Sequence, residues 1–271
     1  MSIWRISALF AVLVAGSLPA SSPRTPLAPT APWVLDYGET QCLASREYGT
    51  AEKPLTFAIR PAPNGETYEL LVARARYGPE FAEEFEGSVD FGNGPIAAWL
   101  LHYGGKGRKV SLDQFRISSA DMVQSRASGS VALRTRSGLD VYVALSDMPA
   151  LLKGLEDCTA DLKRYWNMEL PEKAKISTPS KGDIRLLFSS DDYPAEAMKN
   201  RQEGAVQFLL LIDEKGKVAA CHVLKASGVP VLDGMGCQVI AQRAKFSPAL
   251  DDHGKPVRSS VVTPTVVWRL G

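Results

Sequence analysis

The chain has 271 residues, 45% hydrophobic and 23% charged, which is enough apolar side chain for more than one core. A formal net charge of +1 offers no general attraction to nucleic acid or to an anionic membrane surface, so neither is expected as a partner. The four cysteines form no Cys-x-x-Cys pair, and His102, His222 and His253 are the only histidines, so no metal site and no cofactor are expected.

Residues 1–20 read as an export signal. Arg5 supplies the positive start, Ala8 to Ala15 the apolar stretch, and Gly16, Ser17 and Ala20 the small residues before a cut. The apolar run is short for a membrane span, which needs about 20 such residues. The alternative is an uncleaved anchor. Residues 21–32, "SSPRTPLAPTAP", are Pro-rich and expected to be disordered or extended.

Residues 33–168 are expected to be a β-rich, sandwich-like domain that ends in a helix. "LTFAIRP", "TYELLVARA", "FRISSADMV" and "VALRTRSGLDVYVAL" carry strand patterns, the last with a hairpin turn at Ser137-Gly138. In "MPALLKGLEDCTADLKRYW" the apolar period becomes helical, with Leu151, Leu155, Cys158, Leu162 and Trp166 on one side. Cys158 therefore sits on a buried helix face, and Cys42 is its natural partner. The alternative, one cysteine from each half of the chain, would lock the halves together. Trp99, Tyr103, Phe115 and Trp166 read as core aromatics, and His102 beside them as structural. "YGGKGRK" lacks the ending of a phosphate loop and marks a turn. A ligand or catalytic role for this half would require a pocket around His102, Tyr103 or Asp113.

Residues 169–182 carry no apolar period and are expected to be a linker. Residues 183–271 then read helix, strand, strand, helix, strand: a small antiparallel sheet with helices against it, making the whole chain α+β. Asp191 and Asp192 are cap candidates, Pro194 opens the first helix, and Gly204 stops it. The hairpin turns at Asp213–Gly216. Val206, Phe208, Leu210 and Ile212 share one face of its first strand. In the second, Val218, Ala220, His222 and Leu224 share one face, Cys221 and Val223 the other. The second helix starts at Pro230 and buries Val231, Leu232, Met235, Val239 and Ile240. A Cys221–Cys237 bridge would tie that helix to the hairpin. Closing a loop of about 15 residues adds roughly 3 kcal/mol to a core this small. A redox-active pair would need closer spacing and an electropositive setting.

Several features recur here in order: Tyr193-Pro194, Gly204-x-Val206, Asp213-x-x-Gly216-x-Val218, Ser227-Gly228, Leu232-Asp233, Phe246-x-Pro248-Ala249, Gly254-Lys255-Pro256-Val257 and a closing apolar strand. Together they resemble the C-terminal domain of TonB, the periplasmic protein that couples inner-membrane energy to outer-membrane transporters. The resemblance covers the last third of the chain. It implies a non-enzymatic periplasmic protein that takes up a partner segment, such as part of a TonB-dependent outer-membrane transporter, as an added strand. The expected partner-binding edge is Tyr193 with Val261, Val262, Thr263, Thr265, Val266 and Val267. Pro264 in that strand marks an edge, with two readings: an edge open to a guest, or one the proline only protects.

The chain departs from the TonB pattern in its cleavable N-terminus, its lack of a long Pro-rich spacer, and its additional β-rich domain. The alternatives are an inner-membrane-anchored energy transducer, with membrane contact only through an uncleaved N-terminus, and a small-ligand binder or enzyme using residues 33–168.

Overall fold

The computed structural model describes residues 24–79, 83–105, 108–135, 138–168 and 176–270. The expected export signal, Ser137 and the first half of the expected linker lie outside them. Alternating apolar residues build β1 (Val34–Tyr37), β2 (Cys42–Gly49), β3 (Pro54–Pro61), β4 (Thr67–Arg74), β5 (Glu83–Asp90), β6 (Ile96–Gly104), β7 (Ser111–Ser118), β8 (Ser130–Thr135) and β9 (Asp140–Ala144). They pair in one antiparallel sheet, ordered β1-β2-β3-β4-β7-β6-β5-β8-β9. The expected sandwich is thus a single continuous sheet, and it curls until its ends meet.

Residues 24–30 make the closure. The Leu27 N–H donates to the Tyr142 carbonyl at 2.8 Å, the Ala144 N–H to the Leu27 carbonyl at 2.9 Å, and the Thr30 N–H to the Glu47 carbonyl at 2.9 Å. This corrects the expectation of disorder over 21–32 for its described part. Pro26 and Pro29 lack an N–H, but the residues that follow each of them still donate.

Phe57, Leu70, Val72, Leu100, Phe115 and Leu133 fill the inside of the curled sheet. The strand expected through Val123 ends at Ser118. There a short helix, α1 (Ser119–Met122), begins because the Ser118 hydroxyl accepts the Asp121 N–H at 3.1 Å. The helix α2 (Met148–Tyr165) presses Leu151, Leu152, Leu155, Cys158 and Leu162 onto the same core, and Cys158 is bonded to Cys42 with Cα atoms 6.0 Å apart. Phe115 and Trp166 are core aromatics, whereas Tyr103 points out of this core and donates its hydroxyl to Gln114 at 3.1 Å. The Trp99 side chain lies outside the described set.

The second sheet follows α3 (Ala195–Lys199). Its strands are β10 (Gly204–Ile212), β11 (Val218–Lys225), β14 (Ser259–Val262) and β15 (Val266–Trp268), with α4 (Pro230–Arg243) against it and a small β12 (Ala249–Leu250)–β13 (Pro256–Val257) ladder beside it. The order is β11-β10-β14, and β15 continues along β10. Four details differ from the sequence reading. The second half of the expected linker is fastened down, with Thr178 exchanging backbone hydrogen bonds with Leu250, and Lys181 accepting one from Ser247. Ser189 rather than an aspartate caps the turn before Tyr193, and Asp192 accepts the Ser189 N–H at 2.8 Å. The first helix ends by Asn200, so Gly204 is not its stop. Gly204 opens β10, where a Cβ would lie 2.7 Å from that of Ser227. Finally, a register shift pairs Val218 with Ile212 but Ala220 with Leu211. That bulge moves Val218 to the α4 side with Cys221 and Val223 and leaves Ala220 on the other.

On the α4 side, Phe208, Leu210, Ile212, Leu232 and Ile240 pack tightly, and Cys237 of α4 is bonded to Cys221 of β11, Cα atoms 5.6 Å apart. Gly236 lies flat on Phe208, where an added Cβ would stand 2.4 Å from the ring. Gly236→Ala is therefore expected to lower stability by about 1–3 kcal/mol, read as a fall in the denaturation midpoint. Replacing Cys221 and Cys237 together by alanine should lower it by roughly 3 kcal/mol, seen as a lower thermal midpoint that matches the wild type treated with reductant at this bridge.

Candidate partner-binding edge

A small sheet has two faces and two edges; here both faces are covered at least in part, and neither β11 nor β14–β15 pairs with a further strand among the described residues. The helix α4 covers one face. On the other, Leu211 joins the core of the first sheet with Ala220 packed beside it, and Leu209 is buried. The β11 edge sits over the outer side of β3, β4, β6 and β7. A cleft of about 320 Å³ remains there, lined by Arg60, Glu69, Tyr103, Gln114, Arg116 and His222 among others.

Polar groups hold this junction. Arg60 reaches Glu69 at 2.5 Å, and Gln114 donates to Glu69 at 2.7 Å. Arg116 lies 3.3 Å from Asp233 of α4, which also accepts the Ser227 N–H at 2.9 Å. Burial raises the Glu69 carboxyl, but Arg60 and Arg116 outweigh it and hold the group below its ordinary value. At Asp233 burial wins over Ser227 and Arg116, and the carboxyl is pushed up. Burial first, and Arg60 next, pull the His222 imidazole down to about 4. His222 is therefore neutral in the folded protein at neutral pH. Of the three residues around which a ligand pocket was expected, Tyr103 lines this cleft, whereas His102 and Asp113 are not among its lining. His102 Nδ1 lies 2.9 Å from Asp113 inside the first core, and Asp113 is also paired with Arg74 at 2.5 Å.

The remaining boundary is β14–β15. Its start is clamped by the first half of the chain. The Asn167 side-chain amide donates to the Arg258 carbonyl at 2.7 Å, the Arg258 guanidinium lies 4.1 Å from the Tyr165 ring centre, and the Ser180 and Ser259 hydroxyls meet at 2.8 Å. Beyond that clamp the edge is open. The Thr263 N–H donates inward to the Phe208 carbonyl at 2.9 Å. Antiparallel pairing alternates, so Val261 and Ser259 also face β10, while the main-chain groups of Ser260 and Val262 face outward. These outward groups meet no other strand among the described residues.

The seven residues expected at this edge are not equivalent. Val262 and Val267 are about half exposed, at 52% and 53%, and Thr265 is exposed. Val261 and Val266 are half-buried against the α4-side core. Thr263 is a correction, because its side chain is buried and its Oγ1 accepts the Phe208 N–H at 3.1 Å, so it cannot reach a guest. Tyr193 is another. Its ring packs edge-on against Trp268 at 5.5 Å and its hydroxyl donates to the Gln202 carbonyl at 2.6 Å, so it braces the end of the sheet from within. Sequence reasoning missed Ser260 as an outward group and Asn167 as the clamp. Phase along the edge strand is visible only once its pairing with β10 is known, and no local signal marks Asn167.

The module is thus an antiparallel sheet backed by a disulfide-tied helix, with an edge at β14–β15 that no other strand covers among the described residues. Residues 189–270 match the family described as the Gram-negative bacterial TonB protein C-terminal, which agrees with the resemblance drawn from the sequence. No curated protein matches the chain.

A proton follows from the junction. Below pH 6.5 an unfolded chain protonates His222 while the folded one does not, down to about pH 4, so this group removes stability as pH falls through that window. His222→Gln is expected to flatten the stability profile between pH 6.5 and 4, measured as denaturation midpoints across that range. Asp192, held down to about 2 by Arg243 and the Ser189 N–H, acts in a separate window and loses its contribution only as pH falls from about 4 through 2.

Proposed function

We propose that this protein works in the periplasm as a non-catalytic binding protein, and that residues 183–271 take up an extended segment of a partner as a strand beside β14–β15. The proposed partner is an outer-membrane transporter of the TonB-dependent kind. Residues 33–168 form, on the same proposal, a separate unit that holds the module in place, delivered by a leader at 1–20. The observation that carries this reading is the outward backbone of Ser260 and Val262, which meets no other strand among the described residues. The family match supports it, since such domains act on other proteins. Among the described residues no helix is long and apolar enough to cross a membrane.

Backbone pairing gives this capture its affinity, and the exposed Val262 and Val267 give its side-chain selectivity. Val262→Pro removes an outward donor without breaking a bond to β10. The expected outcome is a thermal midpoint close to the wild type together with loss of partner capture. The measurement is photo-crosslinking in cell envelopes from a reactive residue placed at Ser260. A transporter adduct that disappears in the Val262→Pro background supports the proposal. An adduct of equal intensity in both backgrounds sinks it.

A further inference from the structure

The open end of the curled first sheet holds a cavity that the edge does not use. It lies where residues 24–27 pass over the β2–β3 turn, the end of β4 and the start of β9, and its volume is about 570 Å³. That is within the range of small-molecule sites, roughly 300–1,000 Å³, and barrel mouths are among their usual places. Its walls are apolar, from Leu27, Pro54, Leu55, Val141 and the ring of Tyr142.

The rim is cationic. Arg24 is paired with Asp140 and contributes no free charge. Arg74 is held by Asp113 at 2.5 Å, a carboxylate that is itself buried against His102. Arg76 donates its Nε–H to the buried Ser111 hydroxyl at 3.1 Å, which leaves its outer nitrogens toward the rim without a carboxylate among the described residues. The Lys53 side chain, on the β2–β3 turn, also forms no ion pair among them, although the Glu52 carboxylate, which the Thr50 hydrogen bond keeps ionised, lines the same rim. Lys53 and Arg76 against the ionised Glu52 therefore leave one cation in excess at the rim of an apolar chamber. That combination favours a ligand with one anionic end and one hydrocarbon end.

We propose that this mouth binds a single-chain amphipathic carboxylate, of the medium-chain fatty acid class, with the carboxylate between Lys53 and Arg76 and the alkyl chain along Leu27, Leu55 and Tyr142. The site is independent of the strand-accepting edge. The test is calorimetry on the full chain with decanoate, with decanol and decyltrimethylammonium as probes of the charge, and with anionic lipid vesicles to separate a free acid from a membrane surface. Decanoate is expected to bind as one molecule per chain, at least about tenfold more tightly than decanol, with no binding of the ammonium compound. Arg76→Glu should weaken decanoate by at least about tenfold. Lys53→Glu should do the same, and it keeps the test valid if loss of the Ser111 contact unfolds the first variant. Absence of decanoate binding, equal affinity for decanol, unchanged affinity in the folded variants, or binding to vesicles alone would overturn the proposal.

Discussion

Everything in the second half of this protein depends on β10 being buried on both faces. Phe208, Leu210 and Ile212 meet α4, while Leu209 and Leu211 are covered from the opposite side, Leu211 within the core of the first sheet. A strand in that position cannot slip by one residue without exchanging its two apolar sets between unlike surroundings. Its register in turn fixes β11 on one side and β14–β15 on the other. The Cys221–Cys237 bond then holds α4 over β11 and keeps one face closed without help from the rest of the chain.

The opposite face shows what the first half contributes. A small sheet with one bare apolar face would stick to other molecules face-on. Here that face is covered where Leu211 and Ala220 join the core of the first sheet, while the β11 edge and α4 border a network of Arg60, Glu69, Gln114, Arg116 and Asp233 in which each charge has a partner. Such a junction is specific rather than strongly stabilising, because partly buried ion pairs regain little more than their desolvation cost. Its effect is directional. With that face taken and the β11 edge turned toward the first sheet, the outer line of β14 is the edge that points away from it. Asn167 also takes the outward-facing Arg258 carbonyl, so a guest strand would begin at Ser260 and not earlier.

The elements of this fold were largely legible, and their relations were not. The helical period of 148–166, the hairpin around Gly216 and the helix after Pro230 are local patterns, and all three appear as read. The sequence reading placed Val206, Phe208, Leu210 and Ile212 on one face and assigned nothing to the other, yet the unbroken apolar run "FLLLI" is the mark of a strand buried on both. Ser118 with Asp121 is a cap signal of the Ser-x-x-Asp kind, which the strand-like run before it obscured. The closure by residues 24–30 had no local sign at all. Pro-rich segments read as disordered because they lack donors, but Leu27 and Thr30 each retain one, and their acceptors lie far along the sequence. At the edge, composition named the strand correctly but could not give its phase, so buried Thr263 and exposed Val262 looked alike.

Pro264 had two competing readings, an open edge or a protected one, and the geometry reconciles them. Thr263 turns inward, with its N–H and its hydroxyl both bonded to Phe208, and the ladder is interrupted there before resuming at Val266. Continuing the alternation, Pro264 falls on the outward side with Ser260 and Val262, where its missing N–H is subtracted from the guest's line and not from β10's. An incoming strand finds donors at Ser260 and Val262 and none at Pro264. On the proposed capture, the edge would hold a short segment but not template a continuous ladder, which is what separates a selective docking strand from an aggregating one. On that proposal the proline would limit the length of the guest without closing the edge.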